Sequence, residues 1–216
     1  MDLGIGRDHV PDPIAGVVIA GGQSKRMGNR IKASCLLGGQ TLLERVTERL
    51  RCQVDSLLLN INDDASKFKH LSVPILPDCC AGQLGPLAGL LTGLEWARES
   101  LPGCEWLVSV PVDTPFLPAD LVRRLIHGQI SANMDAEVAV VSSAGRRHPV
   151  CALWSVASAA SLRRALVIDG LRKVGDWLAC LRVCEVPFDG AAVDPFFNVN
   201  NLTDLKKAEQ NLLLLS

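Results

Sequence analysis

Residues Ile14 to Ala20 form an apolar run that ends on two glycines, Gly21 and Gly22. A strand whose apolar residues do not alternate with polar ones has no solvent face, so it belongs inside a parallel sheet covered on both sides. Short β-rich runs alternate with helix-period segments from residue 14 onward. That alternation predicts an α/β fold of three layers, Rossmann-like, with a mostly parallel sheet and helices on both faces. At 216 residues, 48% hydrophobic and 21% charged, the chain suffices for one such core. Residues 14–216 are expected to form a single domain, and residues 1–13, MDLGIGRDHVPDP, a flexible arm.

The strands are expected at Ser56 to Ile61, Pro74 to Pro77, Glu105 to Val112, Glu137 to Val141, His148 to Trp154 and Cys184 to Phe188. A hairpin over Ala33 to Leu37 turns at Gly38-Gly39. A helix from Thr41 to about Cys52 follows, with Leu42, Leu43, Val46 and Leu50 on one face. Gly85-Pro86 opens a second helix carrying Leu87, Leu90, Leu91 and Leu94, proline being preorganised for a first helical turn. Further helices are predicted over Pro118 to Ile130, Ala157 to Leu166 and Val174 to Leu181. Phe196 to Asn200 reads as extended, and Asn201 with Asp204 caps a last helix.

Charge and composition exclude several function classes. The chain holds 22 basic and 23 acidic side chains, a net charge of −1, which argues against a nucleic-acid partner. No apolar run reaches the roughly 18 residues of a membrane span, and the first thirteen residues lack the apolar stretch of a secretory leader. A cytoplasmic protein is expected. Its eight cysteines include no C-x-x-C pair and read as reduced, buried thiols; Cys180 and Cys184, placed on one helix face, make a poor zinc site.

The loop after the first strand, AGGQSKRMGNRIK, is neither a P-loop nor a dinucleotide fingerprint. It still suits an anion, because Gly21 and Gly22 let backbone N–H groups approach one at the carboxyl end of a buried strand. Between Pro13 and Leu43 there is no acid, yet there are four cations, Lys25, Arg26, Arg30 and Lys32. Such a cluster suits a triphosphate, and it also suits a solvated basic loop. Asp113, ending an apolar strand, either holds Mg²⁺ with substrate phosphates or caps a turn. Asn60 and Asp78 read equally as polar strand ends in water.

The wording from Ile19 to Lys32 resembles the signature of the NTP-transferase family, in which (L/I)-A-(G/A)-G-x-S-x-R-M-G-x-x-x-K follows the first strand. Three more segments are similar, in order, to the molybdenum cofactor guanylyltransferase branch across nearly all of residues 14 to 210. LPDCCAGQLGPLAGL matches its D-x(6)-G-P-L-A-G element, SVPVDTPFLPADL its C-D-x-P-x-(L/I)-P turn, and FFNVNNLTDL its F-x-N-x-N-T-P-x-D-L close. His148-Pro149 fits its H-P-x-x-(A/G)-L strand, as a structural or pterin-lining residue.

The resemblance implies a nucleotidyltransferase fold and a Mg²⁺-dependent transfer of GMP from GTP to the phosphate of molybdopterin cofactor. It implies catalytic roles for Lys32, Arg26 and Asp113, with Asp113 holding the metal. Ile19, Ala20, Gly21, Gly22, Lys32, Asn60, Asp78, Gly85 and Asp113 would bind the nucleotide, with Asn60, or Asn62 two residues on, and Asp78 on the guanine edge. Asn198, Asn200, Arg172 and Lys173 would meet the second substrate. A transient contact with a cofactor-inserting chaperone or apoenzyme is also implied.

This chain departs from the branch at Ile31, where many members carry an acid beside the lysine, at Asn29, and at Asn201-Leu202 in place of Thr-Pro. The first change removes a partner that would orient Lys32. Two rival readings are a CTP-using relative, disfavoured by AGG in place of the AAG usual there, and a nucleotide-binding adaptor without turnover.

Overall fold

The computed structural model describes residues 13–21, 32–82, 84–132 and 136–215. The arm over residues 1–12, together with Gly22, Arg26 and Ile31, lies outside the described residues. Strand β1 (Ile14–Ile19) is buried throughout, as its uninterrupted apolar run requires. A short 3₁₀ turn at Lys32–Ser34 leads to a two-stranded ribbon, β2 (Leu36–Leu37) and β3 (Gln40–Thr41). Its turn places both Gly38 and Gly39 at positive φ, the conformation a two-residue hairpin asks for. Helix α1 (Leu42–Arg51) starts in a capping box: Thr41 Oγ1 accepts from the Glu44 N–H, and the Glu44 carboxylate accepts from the Thr41 N–H.

The chain then makes β4 (Ser56–Asn60), β5 (Ile75–Leu76), α2 (Pro86–Ser100) and β6 (Trp106–Pro111). After α3 (Leu121–Ser131), β7 (Val138–Ser143) and β8 (Arg146–Ser155) come α4 (Ala159–Val167), α5 (Val174–Leu178), β9 (Val183–Pro187) and α6 (Leu202–Leu214). Among the described residues the main sheet has the order β5-β4-β1-β6-β8-β7-β9. β8 alone runs antiparallel to its neighbours β6 and β7, because the tight turn at Ala144-Gly145 leaves no length for a crossover. Even-numbered residues of β1 pack with α1, α3 and α6, while Ala15, Val17 and Ile19 pack with α2, α4 and α5. These are the two cores of a three-layer fold.

Several boundaries differ from expectation. The helix predicted from Pro118 begins at Leu121, and the one predicted to reach Leu181 stops at Leu178. Residues 196–200 form no strand, although the Val199 N–H donates to the Asp113 carbonyl at 2.9 Å. A 3₁₀ helix at Ala65–Leu71 was not anticipated, since one buried residue, Phe68, gives it no readable period. Cys184 sits in β9 and shares no helix face with Cys180. Of the eight cysteines, Cys35, Cys104 and Cys151 are buried, whereas Cys52, Cys79 and Cys180 are exposed. No described helix is long and apolar enough to cross a membrane.

Strand order fixes where a ligand goes. From β1 the chain moves through β4 to β5 on one side, then crosses by α2 to β6 on the other. The crevice between the carboxyl ends of β1 and β6 is thus the switch point at which open α/β sheets bind ligands.

Candidate active site

A pocket of about 180 Å³ opens at that crevice, with Ile19, Ala20, Gly21, Lys32, Asn60, Asp78, Gly85 and Asp113 in its lining. Pro86, Pro111, Val112 and Val150 complete the wall, and none of these four is marked by a chemical group that sequence reasoning seeks. Each polar member is delivered by the end of a regular element. Gly21 follows β1, Asn60 ends β4, Gly85 is the N-cap of α2, and Asp113 lies two residues beyond β6.

At one end of the pocket three side chains hold each other. Asn60 is fully buried, and its Nδ2 donates to Asp78 Oδ1 at 3.0 Å and to the Leu76 carbonyl at 3.3 Å. Two acceptors around Nδ2 fix the amide orientation, which turns Asn60 Oδ1 toward Gly21 and Gly89 without a hydrogen-bond partner among the described residues. Asn62 donates to Asp78 Oδ2 at 2.9 Å and accepts from the Asp78 N–H at 2.8 Å. Both asparagines therefore donate to Asp78. A buried acceptor without a partner is costly unless a ligand supplies the donor.

At the other end Lys32 Nζ donates to Asp113 Oδ2 at 2.9 Å and to Asn200 Oδ1 at 3.0 Å. Asn198 Nδ2 donates to Asp113 Oδ1 at 2.8 Å, and Arg146 adds a 3.3 Å hydrogen bond to Asn198 Oδ1. The Lys32 and Asp113 side chains are 19% and 15% exposed, so the pair is poorly screened by water. Lys32 is oriented by Asp113 and Asn200, which supplies from elsewhere in the fold what Ile31 does not supply locally. Arg146 was missed by sequence reasoning; an arginine beside a hairpin turn carries no signal until the fold sets it against Asn198.

The donor set suits a hard divalent cation. Among the described residues each Asp113 oxygen accepts one hydrogen bond, which leaves lone pairs on both, and Asn198 and Asn200 add amide oxygens. One carboxylate completed by phosphate oxygens and water is the usual Mg²⁺ arrangement. Among the described residues no group of three or more His, Cys, Asp or Glu gathers to bind a metal by protein ligands alone.

Two expected residues stand apart from this cluster. The Arg172 guanidinium donates to the Leu166 and Leu171 carbonyls, although its backbone faces Gly85 across the pocket rim. Lys173 is the exposed N-cap of α5.

Behind the site, Ser143 Oγ donates to Asp194 Oδ1 and lies 2.8 Å from His148 Nε2. A hydroxyl has one hydrogen, and it goes to the carboxylate, so His148 must be the donor through Nε2–H. The ring is buried against Phe196, with centroids 5.2 Å apart. Burial first, then the Arg146 charge, push its pKa below the ordinary histidine value. The ring is neutral and braces the 194–200 segment that carries Asn198 and Asn200.

A curated relative named molybdenum cofactor guanylyltransferase, from Nitrobacter hamburgensis, is 43% identical over 198 residues, covering 92% of this chain and 94% of its own. The fold is similar to that of molybdopterin-guanine dinucleotide biosynthesis protein A from Archaeoglobus fulgidus, with TM-score 0.69, 21% identity, and coverage of 93% of this chain and 99% of that one. It is also similar to a Mycobacterium tuberculosis protein solved in complex with manganese, with TM-score 0.63, 22% identity, and coverage of 92% and 98%. The model of the MobA-like NTP transferase domain matches residues 16–182. With that match spanning most of the sheet and most of the pocket wall, the chain belongs to the MobA-like NTP transferase family.

Proposed function

We propose that this chain transfers GMP from GTP to the phosphate of molybdopterin cofactor and releases pyrophosphate. The observation that carries the reading is the convergence of Asp78 at one end of a single pocket with Lys32 and Asp113 at the other. The name of the relative at 43% identity supports it.

Guanine presents N1–H and N2–H donors on one edge, whereas adenine presents an acceptor at N1. Asp78 is acceptor-only when ionised, so it takes guanine and penalises adenine, and the unpartnered Asn60 Oδ1 adds a second acceptor. The backbone at Gly21, with Gly22 and Arg26 from the signature, receives the triphosphate. Lys32 neutralises charge at the α-phosphate, its ammonium already aimed by Asp113 and Asn200.

The acceptor phosphate oxygen bonds to the α-phosphorus as the bond from that phosphorus to the bridging oxygen breaks, and pyrophosphate carries the electrons away. The attacking phosphate is ionised, so no side chain need remove a proton, and positioning with charge neutralisation does the work. Asn198 and Asn200 orient the acceptor, while the Arg172-Lys173 loop lies on its pterin side. Asp113 holds Mg²⁺, which when bound relieves charge on the phosphates; the neighbour crystallised with manganese supports a divalent ion.

The test is pyrophosphate release by the purified chain with Mg²⁺ and molybdopterin cofactor, comparing GTP with CTP. Turnover confined to GTP is expected. Turnover confined to CTP, or nucleotide binding with no turnover, overturns the reading.

A further inference from the structure

We propose that Asn62 and Gly21 form a specificity-positioning pair: Asn62 braces the Asp78 carboxylate in the plane that reads guanine, and residue 21 lacks a side chain to make room for it. The inference rests on the guanine-reading role of Asp78 given above.

Each oxygen of Asp78 receives an amide hydrogen from a different residue, Oδ1 from Asn60 at 3.0 Å and Oδ2 from Asn62 at 2.9 Å. The Asp78 N–H closes a ring onto Asn62 Oδ1 at 2.8 Å. Two donors on opposite oxygens fix the carboxylate's rotation, so its remaining lone pairs keep one direction. Asn60 is buried and would hold its place without help, but Asn62 is exposed, and its amide is ordered by hydrogen bonds such as these rather than by packing. A third contact extends from Asn62 Nδ2 to the Gly21 carbonyl at 3.4 Å, which joins the base-reading end of the pocket to the phosphate-binding turn.

The close approach explains the glycine. A Cβ on residue 21 would stand 2.7 Å from Asn62 Nδ2, well inside contact distance, with Asn60 Oδ1 at 3.4 Å on its other side. An alanine there must push the Asn62 amide away, and Asp78 loses the donor on Oδ2. Both substitutions thus take the same donor from Asp78 Oδ2.

Calorimetric titration of the full chain with GTP and with inosine triphosphate tests this, because inosine lacks the 2-amino group and offers Asp78 one donor fewer. Asn62→Ala should lower the preference for GTP over inosine triphosphate about tenfold, the scale of a hydrogen bond to a charged group. Gly21→Ala should do the same. The double variant should be no worse than either single one, since changes acting through one contact do not add. An unchanged preference in Asn62→Ala, or losses that multiply in the double variant, overturns the pairing. Asn62 is on the surface, so that variant folds and decides the matter even if Gly21→Ala does not. Wild-type chain that binds no GTP brings down the guanylyltransferase reading itself; GTP binding with an unaltered preference sinks only the pairing.

Discussion

Gly89 and Asn60 share one space. Helix α2 lies so close to the sheet that a Cβ on Gly89 would overlap Asn60 Oδ1 and stand 2.9 Å from Ile19 Cγ2. Gly93, one turn further, approaches Val17 in the same way. Glycines along this face of α2 therefore let the helix pack close to the sheet, and the position of the pocket-lining Asn60 follows from a packing constraint in the helix behind it.

Gly89→Ala is accordingly expected to destabilise the fold by about 1–3 kcal/mol, the cost of overpacking a filled interior. It should also weaken GTP binding, because Asn60 is the atom group displaced. Denaturant unfolding and calorimetry measure the two effects; an unchanged unfolding midpoint would contradict this account of the contact.

Asp113→Asn removes the carboxylate that accepts from Lys32 and that the proposed mechanism assigns to Mg²⁺. GMP transfer should fall about 10²- to 10³-fold, comparable to the loss of one preorganised charge-stabilising group. The melting temperature should change little, since the Asp113 backbone carbonyl still accepts from the Val199 N–H. Pyrophosphate release at saturating GTP is the measurement, and full turnover would remove Asp113 from the mechanism.

Asn198→Ala frees one Asp113 oxygen and deprives Arg146 of its acceptor. The KM for molybdopterin cofactor should rise about tenfold while GTP affinity stays within a factor of two or so. A loss confined to GTP affinity would assign the residue to the nucleotide instead.

His148 gives the fold a pH dependence. Its native pKa lies below the ordinary histidine value of 6.5, so between the two the unfolded chain binds the proton and the native chain does not. This contribution to stability is complete above pH 6.5 and is lost as pH falls through the native value. His148→Gln should flatten that part of the curve of unfolding midpoint against pH from 7 to 5. A curve identical to wild type would show that the ring does not titrate differently on folding.

Much of the local architecture was legible before the fold was known. The uninterrupted run of β1, the proline at the start of α2 and the Asn201 cap of α6 each act over a few residues, and each element begins close to where those signals stand. Cooperation between distant residues was not legible in the same way. Asn60 and Asp78 read as two polar strand ends, and nothing near Arg172 in the sequence signals that its guanidinium donates to the Leu166 and Leu171 carbonyls.

By itself the sequence determined the periodicities, turns and caps, and through them the kind of layers this chain builds, because those depend on neighbours within a turn or two of backbone. The tertiary structure alone decided that Lys32 meets Asp113 and Asn200, which lie 81 and 168 residues away. Strand order brings those three together: once α2 carries the chain across β1, the ends of β1 and β6 face one crevice, and the closing segment is bound over it by the Asp113 carbonyl.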